Sequence, residues 1–359
     1  MPLLTSAPPV LRTACRALAG LLLAATACGG EAGRTPTAAP AKSTATPSPT
    51  PDATPTKSTA TTPTDAAKAQ GAALTASGAP PPTRVPAPRR LVALGDVHGD
   101  LAATRAALKL AGAIDDADQW IGGDLVVVQT GDQLDRGDDE REILDLLARL
   151  REQAAAAGGA LYILNGNHEL MNAGGDLRYV TAGGFLDFAD VPGVDLRDPA
   201  GQSVPEQVRG RFLAFAPGGP YARELARRNV VMVVGDSVFV HGGVLPEHAR
   251  RGLDTINQET QAWLRGEAEV PVDVVTGDES PVWTRLYSDN PSPAACATLA
   301  EALAAIPAAR MVVGHTVHKD GVTSACDGKV WMIDVGMAAY YGGRPAVLEI
   351  VGDAVRVIQ

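Results

Sequence analysis

Three short apolar runs, each breaking off into glycine and a cluster of metal-binding side chain types, constrain this chain more than anything else in it. The first, residues 91–100, reads Leu-Val-Ala-Leu-Gly-Asp-Val-His-Gly-Asp. Its apolar start makes a short buried strand rather than a helix. Gly95 and Gly99 bracket Asp96 and His98, so the backbone can turn sharply while a carboxylate and an imidazole face one side and chelate one cation. The second strand, 125–129, runs into Thr130-Gly131-Asp132-Gln133-Leu134-Asp135-Arg136-Gly137. The third, 160–164, runs into Asn165-Gly166-Asn167-His168-Glu169. Between them, Leu101, Thr104, Leu108 and Ala111 fall at helical spacing, as do Ile143, Leu144, Leu147 and Leu150 ahead of Gly158-Gly159. Strand, helix, strand, helix, strand is a βαβαβ unit on a parallel sheet. The carboxyl ends of its strands are neighbours, at the edge where ligands bind.

The later chain uses hairpins. Strands at 230–234 and 237–240 flank Gly235-Asp236, and the second leads into His241-Gly242-Gly243. Residues 311–313 lead into Gly314-His315-Thr316. Asp327-Gly328 joins strands at 322–326 and 330–333, and Gly352-Asp353 joins strands at 346–350 and 354–358. Crossovers early and hairpins late imply one mixed sheet or two.

Composition divides the chain before the motifs begin. Residues 1–27 carry Arg12 and Arg16 ahead of an apolar block too short to span a bilayer, the shape of a secretory signal. Ala25-Thr26-Ala27-Cys28-Gly29-Gly30 resembles a bacterial lipobox, with Cys28 as the lipidated residue and an extracytoplasmic, membrane-anchored lipoprotein as the consequence. Residues 28–88, the cysteine followed by a Thr/Pro/Ala-rich stretch, bury too little apolar surface to offset chain entropy and read as a disordered tether. The folded domain is therefore expected over 89–359. A net charge of −10, without a basic stretch interleaved with aromatics, excludes nucleic acid as a partner. Cys296 and Cys326 form an even pair in a compartment that permits disulfides, and read either as a bridge or as two buried thiols.

Gly-Asp-x-His-Gly at 95–99, Gly-Asp-x-x-Asp-Arg-Gly at 131–137, Gly-Asn-His-Glu at 166–169, His-Gly-Gly at 241–243 and Gly-His-Thr at 314–316, in this order, resemble the calcineurin-like metallophosphoesterases. The Asp-Arg-Gly and the intact Gly-Asn-His-Glu point to their phosphoprotein phosphatase branch. Arg178-Tyr179-Val180, Pro217-Gly218-Gly219-Pro220-Tyr221 and Ser280-Pro281-Val282-Trp283-Thr284-Arg285 resemble the bacterial Shewanella-like phosphatases. The resemblance implies an α/β (α+β) fold, a two-sheet sandwich flanked by helices, with two divalent or trivalent metal ions at the strand ends.

It also implies roles. Asp96, His98 and Asp132 hold the first metal; Asp132 bridges; Asn167, His241 and His315 complete the second. Such mixed carboxylate and imidazole donors suit manganese, expected first, or iron or zinc, rather than calcium or magnesium. A hydroxide bridging the ions attacks phosphorus in line, Arg136 and Arg285 hold phosphate oxygens, and His168, oriented by Asp135, protonates the leaving group. The implied activity is that of a metal-dependent phosphomonoesterase, a monomeric protein phosphatase for Ser/Thr or Tyr, acting on a phosphorylated protein or small phosphomonoester. The alternative is a dinucleoside polyphosphate or other phosphoanhydride or phosphodiester hydrolase using the same site. Residues 171–228 contain Phe185, Phe188, Phe212 and Phe215 and read as a helical cap insertion over the cleft, with Tyr340-Tyr341 also within reach of it. Glu169 is expected to be structural, Trp283 to pack, and His248 and His318 to be solvated.

Overall fold

The computed structural model describes residues 80–359; the expected signal, Cys28 and most of the tether lie outside the described residues. In chain order the first strands are β1 (Arg84–Val85), β2 (Leu91–Leu94), β3 (Val126–Gln129), β4 (Ala160–Ile163), β5 (Val231–Val234) and β6 (Ser237–Val240). They are followed by β7 (Arg310–Val313), β8 (Thr323–Ala325), β9 (Val330–Met332), β10 (Val347–Val351) and β11 (Ala354–Ile358). The anticipated pair of sheets is present. One runs β11-β10-β2-β3-β4, the other β1-β5-β6-β7-β9-β8.

One boundary differs from expectation, because ordered chain begins ahead of residue 89. Strand β1 pairs in parallel with β5, and Asn229 Nδ2 donates to the Pro81 carbonyl oxygen at 3.1 Å. Two residues set among prolines carry no readable period, yet a sheet edge tolerates such a segment.

Strand alternation builds the layers. On β2, Val92 and Leu94 face helices α1 (Leu101–Leu110) and α2 (Glu140–Ala156), whereas Leu91 and Ala93 face the second sheet and meet Met232, Phe239 and Val312. The far face of the second sheet, with Val231, Val233, Val238 and Val313, is covered by helices in turn. The result is helix, sheet, sheet, helix, and each fully buried Val or Leu in it contributes roughly 1.5–3 kcal/mol.

Helix α1 starts where Asp100 accepts from the Ala103 backbone N–H at 2.8 Å. Helix α3 (Asn167–Ala173) follows β4 directly. The insertion at 171–228 is helical as expected, with α4 (Ala182–Asp187), a 3₁₀ turn (Pro199–Ser203), α5 (Glu206–Phe215) and α6 (Pro220–Leu225). Phe188, Phe215 and Tyr221 pack within it, with ring centroids 4.9–5.2 Å apart. Further on come α7 (Pro246–Arg251), α8 (Leu253–Leu264), α9 (Val272–Val275) and α10 (Pro293–Ala305). Cys296 on α10 is disulfide-bonded to Cys326 beside β8, which resolves the two readings of that pair in favour of a bridge.

Candidate metal centre

Register explains why the motifs meet. Leu94 pairs with Gln129 and Gln129 with Ile163, so β2, β3 and β4 end level with one another. Across the sandwich Val240 pairs with Val313, so β6 and β7 also end together, delivering His241 and His315. Each strand end turns sharply. His98, Asp132, Asp135, Arg136 and His315 all adopt positive φ, between 42° and 72°, a conformation that costs free energy for residues with a Cβ. The fold has to hold them there.

Glu169 is one of the restraints. Wholly buried, it accepts from the backbone N–H groups of Asp132, Gln133, Leu134 and Gly166 at 2.7–3.1 Å. Its expected structural role is thereby given a form: it ties the second strand end to the third. Gly166 permits the approach, since a Cβ there would stand 2.2 Å from Asp132 Oδ1.

The six expected ligands are brought together and are all buried. Asp132 stands among them, its Oδ2 at 3.1 Å from His241 Nε2 and 3.7 Å from His98 Nε2. Its Oδ1 accepts from the His168 backbone N–H at 3.0 Å. Asp96 Oδ2 lies 3.9 Å from His98 Nε2, and Asn167 Oδ1 lies 2.9 Å from His241 Nε2.

The imidazoles are set up as ligands. His98 Nδ1 faces the Leu134 carbonyl at 3.0 Å, His241 Nδ1 the Thr130 carbonyl at 3.1 Å, and His315 Nε2 the Trp283 carbonyl at 3.0 Å. A carbonyl accepts only, so in each ring that nitrogen carries the hydrogen and the other presents a lone pair. Burial lowers the His98 pKa to about 3 and pushes His315 well below its ordinary value, so both stay neutral, the ligating form. At His241 the free lone pair then faces oxygens of Asp132 and Asn167, an arrangement that a cation between them relieves. Burial, with Asp334 and Asp132 alongside, pushes the Asp96 carboxyl well above the usual carboxylate range, and a cation would displace that proton. The donor set therefore fits two transition-metal ions.

His168 also lies within reach of a metal position, forming a compact cluster with His98 and Asp132. Two contacts argue for another task. Its Nδ1 bonds the Asp135 carboxylate at 2.5 Å rather than a carbonyl, and its Nε2 lies 3.2 Å from Arg136 Nη2, a donor that already occupies the lone pair a metal would need. Burial alone would lower the His168 pKa, but the charge of Asp132 and the bond and charge of Asp135 outweigh it and raise the pKa above its ordinary value.

At the mouth, the Arg136 guanidinium lies 4.9–5.3 Å from the ring centroids of Tyr179, Tyr340 and Tyr341. Tyr179 also stands 5.1 Å from the His168 ring, so the insertion's approach reaches the cleft. Exposed Arg285 donates to the His315 carbonyl at 2.7 Å and to Thr316 Oγ1 at 2.9 Å. Trp283 packs edge-on to His315 and donates to the Val275 carbonyl.

Two histidines depart from expectation. His248 is buried, because its Nδ1 accepts from the Leu245 backbone N–H at 3.1 Å and caps α7. His318 is half-buried, with Nε2 at 3.0 Å from the Ser288 carbonyl. Sequence reasoning missed Asp334, buried behind Asp96, and Arg211, Glu140 and Asn172 around Asp135. Only Arg211 left a trace: a charge three and four residues before Ala214 and Phe215, on the buried face of α5.

The chain is similar to known proteins. The calcineurin-like phosphoesterase family matches residues 89–319, most of the described chain. Over 309 residues the chain is 42% identical to Shewanella-like protein phosphatase 2 of Arabidopsis thaliana, covering 77% of this chain and 79% of that one. It is 26% identical to Shewanella-like protein phosphatase 1 of Plasmodium berghei, covering 71% and 69%. Among solved structures, the cold-active protein-tyrosine phosphatase of a psychrophilic Shewanella superposes with a TM-score of 0.62 at 26% identity, covering 78% of this chain and 83% of that one.

Proposed function

This chain belongs to the calcineurin-like phosphoesterases, as a metal-dependent phosphatase, and we propose that it removes phosphate from proteins with a preference for phosphotyrosine. The observation that carries the reading is the convergence of lone-pair nitrogens from His98 and His241 on Asp132 Oδ2, with three imidazoles each fixed by a backbone carbonyl. When bound, two cations supply electrophilic stabilisation of phosphoryl oxygens and a water acidic enough to be a nucleophile near neutrality.

The chain's own residues do the rest. Asp96, His98 and Asp132 would hold one ion, and Asp132, Asn167, His241 and His315 the other; manganese suits these donors. Arg136 and Arg285 hold the phosphoryl oxygens through guanidinium forks. Once Arg136, whose Nη2 lies 3.2 Å from His168 Nε2, has turned to the phosphate, Nε2 is free to carry a proton and give it to the departing oxygen, while Asp135 holds Nδ1–H and keeps the ring aimed. The raised His168 pKa favours the protonated acid.

Two features support the tyrosine preference. Tyr179, Tyr340 and Tyr341 form an aromatic collar around Arg136, suited to the flat face of a phenyl phosphate. The superposing Shewanella enzyme is named a protein-tyrosine phosphatase. The Cys296–Cys326 bridge supports an oxidising, extracytoplasmic compartment, and with it the lipid anchor at Cys28.

The test uses purified protein stripped of metal and titrated with Mn²⁺. Phosphotyrosine, phosphoserine and phosphothreonine peptides are compared with a dinucleoside tetraphosphate. Metal-restored activity highest on the phosphotyrosine peptide is expected. Activity confined to the anhydride would move the function to nucleotide hydrolysis. For the anchor, Cys28→Ser should release the protein from membranes, and unchanged membrane association would reject lipidation.

A further inference from the structure

Arg211 is wholly buried, yet it belongs to helix α5 of the insertion rather than to any strand end. All five of its N–H donors are engaged. Nε donates to Asn172 Oδ1 at 2.8 Å. Nη1 donates to Glu140 Oε2 and to the Gly184 carbonyl, the latter at 3.0 Å. Nη2 donates to Glu140 Oε1 at 2.8 Å and to Asp135 Oδ1 at 3.2 Å. The rings of Phe188 and Phe215 lie 4.9 and 5.2 Å from the guanidinium carbon and keep water out.

The consequence falls on Asp135. Its Oδ1 is held twice, by Arg211 and by Asn172 Nδ2 at 3.0 Å, so Oδ2 is left for His168 Nδ1. Asp135 itself has a strained φ of 67°, and its backbone N–H donates to Glu140, the residue Arg211 grips. Without the guanidinium, Asp135 and Glu140 would be two buried carboxylates with no cation between them, an arrangement that only reorientation or protonation relieves. Either change would leave the His168 ring unheld.

We infer that Arg211 is a positioning residue for the acid step: the insertion completes the proton-donating arm of the site by fixing Asp135, and through it His168. The inference rests on the proposed role of His168, and goes beyond it by making the insertion part of the catalytic apparatus instead of a cover. Arg211 touches neither the metal ligands nor the cleft, so metal affinity and substrate binding should not depend on it.

A leaving-group comparison tests this. Phenyl phosphate has a poor leaving group that needs an acid; nitrophenyl phosphate, of similar shape, has a good one that scarcely does. In Arg211→Lys, which keeps the charge but loses the fork, kcat for phenyl phosphate should fall about 30-fold and kcat for nitrophenyl phosphate less than about threefold. KM and bound metal should be unchanged. His168→Asn should show the same discrimination, and the double variant should lose little more than His168→Asn alone.

Equal losses on both substrates, a change confined to KM, or additive losses in the double variant would overturn the inference. If Arg211→Lys does not fold, Arg211→Gln with Glu140→Gln removes the ion pair as a unit and is read in the same way. Discrimination in His168→Asn but not at Arg211 would refute the role of Arg211 alone. Its absence from His168→Asn would refute the acid assignment, and this inference with it.

Discussion

The two walls of the cleft are built on different terms. On the metal wall, all six candidate ligands are buried and sit at the ends of level strands, and five of them, all but Asn167, are oriented by backbone carbonyls or backbone N–H groups. On the substrate wall, Arg285, Tyr179 and Tyr340 are exposed and Arg136 is held by side-chain stacking. Backbone partners cannot be changed by substitution without moving the fold; stacked surface rings can. The first wall fixes the chemistry, and the second is free to vary what is brought to it.

Substitutions should separate the walls. Asp132→Asn removes the carboxylate charge common to both ion positions, so kcat should fall on the order of 10³-fold or more, with metal content reduced in elemental analysis. Full activity in that variant would break the comparison at its base. Arg136→Lys exchanges a fork for a point charge and should lower kcat/KM for a phosphotyrosine peptide about 10–100-fold, leaving metal content intact. Arg285→Lys, at an exposed site, should cost less; an equal or greater loss would mean that the two arginines share the load.

Tyr340→Ala should raise KM about threefold on phosphotyrosine and scarcely at all on phosphoserine peptides. Equal effects on both would show that the collar does not sort substrates. A smaller effect, remote from both walls, concerns Asp145, whose carboxyl is pushed from 3.8 up to about 6 by burial and has an oxygen without a partner. The folded state then holds that proton more tightly than the unfolded chain does. Its contribution to stability is therefore lost as pH climbs from about 4 to about 6. Asp145→Asn should stabilise the protein by about 1 kcal/mol at neutral pH, after allowance for solvent screening, and by nothing near pH 4. Calorimetry at the two values measures it.

Legibility in the sequence follows the same division. The metal wall could be read because each ligand follows an apolar run and is flanked by glycine, and both signals are local. The neighbouring strand ends followed from the crossover pattern; the later hairpins left one sheet or two open, and only the family resemblance implied two. The arm behind His168 could not be read, since Arg211, Glu140 and Asn172 meet Asp135 only through the tertiary fold; Arg211 contacts Glu140 across 71 positions. His248 was misjudged because a histidine side chain does the work usually given to a capping glutamate. Strand β1 was hidden by its prolines.

The bridge between Cys296 and Cys326 closes a loop of the chain that contains both β7 and His315. The last metal ligand is thus delivered on a covalent ring, made while that part of the chain is being oxidised. Closing a ring with a sequence separation of 30 residues stabilises by about 3–4 kcal/mol in the chain-entropy account. A thiol reductant should therefore lower metal retention without touching the centre, by loosening the segment on which His315 arrives, and metal content measured before and after reduction checks it. The covalent state of two sulfur atoms outside the site is thereby coupled to the segment that carries His315.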